Sequence, residues 1–250
     1  MRQTLQTFAK FAVSAAALCG ISFSSGAQNA PVTAQVQIVA KSAAKPAARH
    51  AAPVSPADVV VWLEPVESDG KPIASTIDPP RDVQLVQRNK TFEPHVLVVP
   101  VGTVVQFPNR DPFFHNVFSL FDGKRFDLGL YEAGSSKPLR FDRPGVSFLF
   151  CNIHPEMSAV VVVVQTPYFA KSDRTGRISI AGVADGRYRV RVWYERSAPE
   201  ELRKLDRAVE ISAGSRALGD IPVPEDPNTT LAHKNKYGQD YPPPANGIYH

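Results

Sequence analysis

Cysteine and methionine are both scarce in this sequence, which has two residues of each type among 250. Cys19 lies in an N-terminal apolar stretch that has the features of a removable leader, so the processed chain keeps one thiol, Cys151. A single thiol excludes an internal disulfide in the processed chain. Cys151 is then a free reactive thiol, an intermolecular disulfide partner or a metal ligand.

The sequence also lacks a long membrane-spanning run at its N-terminus. The apolar stretch from Phe11 to Phe23 has 13 residues, whereas a spanning helix needs about 20. Arg2 and Lys10 precede the stretch, and the small residues 25–27 follow it. This pattern predicts a secretory signal peptide over residues 1–27 and a periplasmic or secreted protein. We expect no integral membrane segment after cleavage.

The sequence also lacks a large excess of charge of either sign. The predicted leader holds two basic residues and no acidic one, so its removal lowers the formal net charge from +4 to +2. A nearly balanced chain of this kind has no electrostatic footprint for nucleic acid. The sequence contains no Gly-rich phosphate loop, no Ser/His/Asp arrangement and no HExxH motif. These absences predict a protein that is not an enzyme.

What the sequence does contain is a succession of short Val, Leu, Phe and Trp runs separated by Pro, Gly, Asp and Asn. This pattern predicts an all-β protein, because strands alternate with turn residues and no long stretch has helical periodicity, although a short helix is possible from Glu200 to Arg207. We place an Ala/Pro-rich tether at 28–56, a first β domain at 57–165, a second at 166–225 and a disordered tail at 226–250. Pro167 marks the boundary between the domains.

The chemistry concentrates in the loop from Cys151 to Met157, which follows an apolar strand. Cys151, His154 and Met157 supply a thiolate, an imidazole and a thioether at intervals of three residues. Soft sulfur ligands together with imidazole favour copper over zinc. A second histidine has to come from elsewhere in the fold, and His115 is the best candidate because it stands between a turn and the apolar residues that follow it.

The residues around this loop resemble the cupredoxin family. The shared features are Phe92-x-Pro94, Leu97-x-Val99-x-x-Gly102-x-x-Val105-x-Phe107-x-Asn109, His115-Asn116 and the terminal ligand loop, which is similar to that of amicyanin, with plastocyanin a more distant likeness. The resemblance implies a Greek-key β-sandwich and one type 1 copper ion. It implies His115, Cys151, His154 and Met157 as the copper ligands. It also implies that Asn116 forms a hydrogen bond between the two ligand-bearing segments.

The second predicted domain is similar to the carboxypeptidase regulatory-like, transthyretin-like β-sandwich. The matching features are Thr166-Pro167-Tyr168-Phe169, Asp173-x-x-Gly176-Arg177-Ile178-x-Ile180 and Gly186-Arg187-Tyr188-x-Val190-x-Val192-Trp193. This resemblance implies support, or recognition of glycan or peptide, through residues 166–225. It brings no catalytic chemistry.

The resemblance to amicyanin implies a periplasmic protein of the methylamine-utilisation type that carries single electrons, with a c-type cytochrome or a periplasmic dehydrogenase as its partner. Two alternatives stay open. One is a protein that stores or delivers copper, although the chain has no Met-rich or His-rich tract. The other is a cell-envelope binding module in which copper serves a structural purpose.

Overall fold

A computed structural model of the chain describes residues 30–40, 55–120, 123–226 and 234–241. Within these ranges the fold is all-β, as the sequence predicts, with 17 strands and one short helix. The predicted signal peptide and residues 41–54 of the predicted tether lie outside the described residues. No helix in the described ranges is long and apolar enough to cross a membrane.

The strands are, in chain order, β1 (Val32–Ala40), β2 (Val60–Pro65), β3 (Val83–Gln84), β4 (Val86–Arg88), β5 (Thr91–Glu93), β6 (Val96–Pro100), β7 (Val104–Pro108), β8 (His115–Ser119), β9 (Phe126–Tyr131), β10 (Ser136–Arg140), β11 (Gly145–Phe150), β12 (Ser158–Val164), β13 (Phe169–Lys171), β14 (Arg177–Ile180), β15 (Gly186–Trp193), β16 (Arg207–Ile211) and β17 (Ala217–Glu225). The helix α1 (Pro199–Arg203) lies between β15 and β16 and buries Leu202.

Strands β3 to β12 form one β-sandwich, which we call the inserted sandwich. Its larger sheet has the order β6-β12-β11-β8-β9, and its smaller sheet has the order β10-β7-β3. The two sheets face each other across an apolar core that includes Phe107, Leu149 and Val161, all fully buried. Burial of such side chains stabilises the sandwich by about 1.5 to 3 kcal/mol each.

Strand β12 explains why the run after Met157 is continuously apolar and does not alternate. Val161 and Val163 face the core of the inserted sandwich. Val160, Val162 and Val164 face the other way, into a second apolar cluster that includes Trp62 and Trp193. Both faces of β12 are covered by apolar side chains. The strand is therefore apolar at successive positions, unlike a strand with one solvent-exposed face.

The remaining strands form a second β-sandwich, which we call the outer sandwich. Its sheets have the orders β14-β1-β17 and β13-β2-β15-β16. Tyr188, Val190 and Val192 of β15 point into the core between them, and the arginines that alternate with them are less buried. This alternation along β15 is typical of a strand with one face in the core.

The predicted domain boundaries differ from those of the structure. β1 lies inside the predicted tether, yet it pairs antiparallel with β14 and parallel with β17. β2 lies inside the predicted first domain, yet it pairs with β13 and β15 of the outer sandwich. The outer sandwich is therefore assembled from both sides of the inserted one, and residues 166–225 do not complete it alone.

The Asp173-x-x-Gly176 motif forms the turn between β13 and β14. The Asp173 carboxylate accepts the backbone N–H groups of Thr175 and Arg177, at 2.8 and 3.0 Å. Gly176 has φ +81°, and a Cβ at this position would lie 2.4 Å from the carbonyl oxygen of Val36. Glycine is required here because the turn packs against the backbone of β1.

The predicted disordered tail, residues 226–250, is ordered in part. Residues 234–241 form a turn in which the Asn235 N–H donates to the Gln239 carbonyl at 2.9 Å. The remaining tail residues, apart from Asp226, lie outside the described ranges. The composition of the tail predicted disorder because it offers little apolar surface, whereas the observed turn is held by hydrogen bonds.

Candidate metal centre

Sheet topology brings the four predicted ligands to one end of the larger inserted sheet. β11 runs antiparallel to both β8 and β12, with Phe150 opposite Phe118 on one side and Ser158 on the other. The end of β11 therefore lies beside β8 and the start of β12. Cys151 follows β11, His115 begins β8 and Met157 precedes β12.

Three of the four predicted ligands surround one point. The Cys151 Sγ lies 3.7 Å from His115 Nδ1 and 3.6 Å from His154 Nδ1. Among the described residues, His115, Cys151 and His154 are the one group of three His, Cys, Asp or Glu side chains close enough to share an ion, with ligand atoms within 4.8 Å of one another.

The loop from Cys151 to Met157, which carries every proposed ligand except His115, is closed by backbone hydrogen bonds. The Cys151 N–H donates to the Met157 carbonyl at 3.3 Å, and the Met157 N–H donates to the His154 carbonyl at 3.0 Å. Met157 is fully buried and packs in the same apolar cluster as Cys151. The loop thus places the thioether in the same cluster as the thiol and turns His154 back toward it.

Asp111 orients His115, a role that the sequence analysis did not assign. The Asp111 carboxylate lies 2.7 Å from His115 Nε2, and both side chains are buried. A carboxylate only accepts hydrogen bonds, so the ring proton belongs on Nε2 and the lone pair of Nδ1 faces Cys151. The available signal for Asp111 is its position four residues before His115, within the turn-forming segment Asn109-Arg110-Asp111-Pro112.

Asp111 is itself held in the ionised form. Burial alone raises its pKa, but hydrogen bonds from the Lys90 N–H, His115 and the Asn89 N–H outweigh that effect and lower the pKa. The two backbone donors lie 3.0 and 2.6 Å from the carboxylate oxygens. The β4–β5 turn therefore holds the Asp111 carboxylate in position, and the carboxylate in turn orients the His115 ring.

The environment of the thiol has two opposing effects. Burial raises the pKa of Cys151, and the backbone N–H groups of Ile153, Asn116 and His154 oppose that rise. Such N–H groups stabilise a thiolate once a cation replaces the proton. Burial also lowers the pKa of His154, as does the neighbouring His115, which keeps the imidazole neutral and able to donate a lone pair.

The two histidines differ in their access to solvent. His115 is fully buried, whereas His154 is partly exposed. The Phe113 ring packs against both imidazoles, with centroid distances of 5.2 and 5.5 Å. Beside His154, Ile153 is 43% exposed. Phe113 and Ile153 therefore place apolar side chains beside His154, the one of these two histidines that reaches the exterior.

The side chain of Asn116 does not make the predicted bond between the two ligand-bearing segments. Its Nδ2 donates to Asp127 at 2.7 Å, and its backbone N–H faces the Cys151 sulfur. His95 lies away from the site and contacts Glu195 at 2.7 Å. His50, His233 and His250 lie outside the described residues.

The donor set fits a metal ion by distance. Metal–nitrogen bonds of about 2.0 Å and a metal–sulfur bond of about 2.3 Å place nitrogen and sulfur about 3.5 to 3.7 Å apart, for angles between tetrahedral and trigonal. The observed separations are 3.6 and 3.7 Å. Two imidazoles and a thiolate with a neighbouring thioether are ligands that copper accepts.

No family model and no curated protein matches the chain. Among solved structures, a purple cupredoxin from Nitrosopumilus maritimus matches 33% of this chain and 100% of its own length, with 27% identity and a TM-score of 0.31. A copper-containing nitrite reductase from Thermus scotoductus SA-01 matches 40% of this chain and 25% of its own length, with 26% identity and a TM-score of 0.32. The reduced Cu(I) form of an amicyanin mutant matches 36% of this chain and 88% of its own length, with 24% identity and a TM-score of 0.32. TM-scores of this size do not establish a common fold for the whole chain.

Proposed function

We propose that this chain is a periplasmic type 1 blue-copper protein that carries single electrons and catalyses no reaction of its own. His115, Cys151 and His154 would hold the ion, and Met157 would be the weak axial ligand. The observation that carries the proposal is the position of the Cys151 sulfur between two Nδ1 atoms, at 3.7 and 3.6 Å. Bound copper would supply a one-electron couple between Cu(I) and Cu(II).

Burial of the ligands favours electron transfer over storage or delivery. His115, Cys151 and Met157 are all fully buried, and the Asp111 carboxylate fixes the His115 ring. A pre-formed, enclosed ligand set changes little between two oxidation states, whereas a delivery protein needs ligands that exchange readily. Of the four proposed ligands, only His154 reaches the surface.

His154 is the proposed port for electrons. It lies between Ile153 and Pro155, both of which are exposed, so a partner can approach the imidazole across an apolar surface. Small contacts of this kind suit brief encounters. We propose a c-type cytochrome or a periplasmic dehydrogenase as the partner.

The experiment measures, by stopped-flow spectrophotometry, the rate of electron exchange between the copper-loaded chain and a small c-type cytochrome. Pro155→Glu places a charge in the apolar surface beside His154 and should slow the exchange by about tenfold or more, because desolvating an unpaired charge on contact is costly. The visible spectrum of the variant should stay at that of the wild type.

Pro222→Glu is the matched control, since Pro222 is an exposed proline of the outer sandwich. It should leave the exchange rate unchanged. If Pro155→Glu exchanges electrons as fast as the control, His154 is not the port.

A further inference from the structure

The ordered part of the tail, Lys234 to Tyr241, lies against the loop that carries the metal ligands. We call it the C-terminal strap. The Tyr241 hydroxyl donates to the carbonyl oxygen of Cys151 at 2.9 Å. The Lys236 N–H donates to the side-chain oxygen of Asn152 at 2.9 Å. The strap therefore binds the first two residues of the ligand loop directly.

The strap also reaches the segment that carries His115. The Lys236 ammonium lies 2.8 Å from one oxygen of Asp127, and the other oxygen accepts the side-chain N–H of Asn116 at 2.7 Å. Burial alone raises the pKa of Asp127, but the bonds from Lys236, the Gly129 N–H and Asn116 outweigh it, so the pKa is lowered and the pair is ionic. Asn116 follows His115, so the strap is connected to both ligand-bearing segments.

The strap has a defined internal structure that fixes where its contacts fall. The side-chain oxygen of Asn235 accepts the N–H groups of Tyr237 and Gln239, at 2.9 and 3.0 Å. Asn235 is itself buried. Gly238 completes the turn with φ +76°. These bonds pre-organise the turn, so Lys236 and Tyr241 are presented to the loop at set positions.

We infer that the C-terminal strap holds the metal-ligand loop in place and that Lys236 and Tyr241 are positioning residues for Cys151. The inference rests on the copper site proposed above. Departure of the ion requires the loop to move away from His115, and the strap opposes that movement through its bonds to the loop and to Asp127. Contacts behind the ligands fix metal geometry in this way.

The experiment measures how fast the full-length, copper-loaded and reduced protein loses Cu(I) to an excess of bathocuproine disulfonate. Tyr241→Phe removes the bond to the Cys151 carbonyl, and Lys236→Ala removes the ion pair with Asp127. Each should speed copper release by about threefold to tenfold, the factor expected for one net hydrogen bond. The double variant should be faster than either single variant.

Two controls separate positioning from a general loss of fold. Tyr237→Phe makes the same chemical change in the same strap at a side chain that is 71% exposed, and it should release copper at the wild-type rate. Lys236→Arg keeps the ion pair and should restore that rate. Double-variant release at the wild-type rate, or equal acceleration by Tyr237→Phe, would overturn the inference.

A failure of the copper site itself gives a different result. If the wild type binds no copper, the proposed function fails, and the strap is then tested on the metal-free protein by hydrogen exchange. The amides of residues 152–154 and 156–158 should exchange faster in the Tyr241→Phe, Lys236→Ala double variant than in the wild type. Equal exchange in the two proteins would show that the strap does not hold the loop.

Discussion

The two sandwiches are built on different plans. The inserted sandwich comes from one continuous stretch, β3 to β12, and its site lies where neighbouring strands of one sheet end. The outer sandwich joins two N-terminal strands to five C-terminal ones. The described residues of the outer sandwich contain no comparable cluster of metal-binding side chains. The candidate metal site therefore lies in the sandwich that is continuous in sequence, and the sandwich that is discontinuous in sequence packs against it.

The two sandwiches are nevertheless joined by apolar contact. Val60 of the outer sandwich and Val96, Val160, Val162 and Val164 of the inserted one form a single buried cluster. Lys171 of β13 adds a polar link through its hydrogen bond to the Val96 carbonyl at 3.1 Å. The units are therefore distinct in chain path but share a core at their boundary.

Truncation after Gln165 tests the shared boundary and should have the largest effect. The cut removes every partner strand of β1 and β2 and uncovers the boundary cluster. We expect an insoluble product, or one without near-ultraviolet circular dichroism. Truncation after Asp226 keeps all 17 strands of the described ranges and should stay folded. A soluble and cooperatively folded product of truncation after Gln165 would mean that the inserted sandwich folds without the outer sandwich.

Leucine-to-alanine substitutions in the two cores should separate the units. Leu63 is fully buried in the outer core and Leu149 in the inserted core. Each change should lower the free energy of unfolding of its own unit by about 2 to 5 kcal/mol. Both tryptophans, Trp62 and Trp193, lie on strands of the outer sandwich and pack against the boundary cluster. Their fluorescence during urea unfolding therefore reports the outer sandwich together with its contact to β12.

The copper absorption band reports the inserted unit in the same experiment. Leu63→Ala should shift the fluorescence transition more than the copper transition, and Leu149→Ala should do the reverse. If both probes move together in both variants, the two sandwiches unfold as one unit and do not differ in stability.

His95 gives the smallest expected effect, at the contact between the units. Its ring bonds to Glu195 at 2.7 Å and to the Ser158 carbonyl at 3.2 Å. Glu195 raises the pKa of His95 above 6.5, against the lowering effect of burial, and Asp58 adds to the rise. Lys171, which pairs with Asp58 at 2.6 Å, is the nearby cation.

A raised folded-state pKa sets the sign of the pH dependence. The stabilisation is complete below about pH 6.5, the unfolded value, and is lost as the pH rises through the higher folded pKa. The free energy of unfolding of the wild type relative to His95→Gln should thus be larger at about pH 5.5 than at about pH 9. An equal difference at the two pH values would show that the His95–Glu195 pair does not titrate with folding. The effect should be modest, since the His95 side chain is 40% exposed and solvent screens such pairs.

The ligand residues could be predicted because they lie in one short loop. The spacing of Cys151, His154 and Met157 needs only a turn to bring them together, and β8 to β11 pairing adds His115. In the structure, His115, Cys151 and His154 lie close together. Asp111 was missed because the sequence does not show which hydrogen-bond donor a carboxylate in a turn will contact.

The outer sandwich was harder to predict since its strands are distant in sequence. In β1, Val32, Ala34, Val36 and Ile38 alternate with other residues, most of them polar, but Ala- and Pro-rich neighbours obscured that pattern. The apolar run that forms β2 predicts a strand, yet nothing local specifies that it pairs with β15 and not with its sequence neighbours. Pairing over such separations depends on the whole core. The C-terminal strap was missed for a similar reason, because its hydrogen bonds join residues that are far apart in sequence.

The most direct test of the metal centre is the visible absorption spectrum of the full-length protein with one equivalent of Cu(II). Cys151 is the one described thiol and lies between two imidazole nitrogens. We predict an intense thiolate-to-copper charge-transfer band in the wild type and no such band in Cys151→Ser. A colourless wild type, or a band that survives in Cys151→Ser, would contradict the assignment of His115, Cys151 and His154 as a blue-copper site.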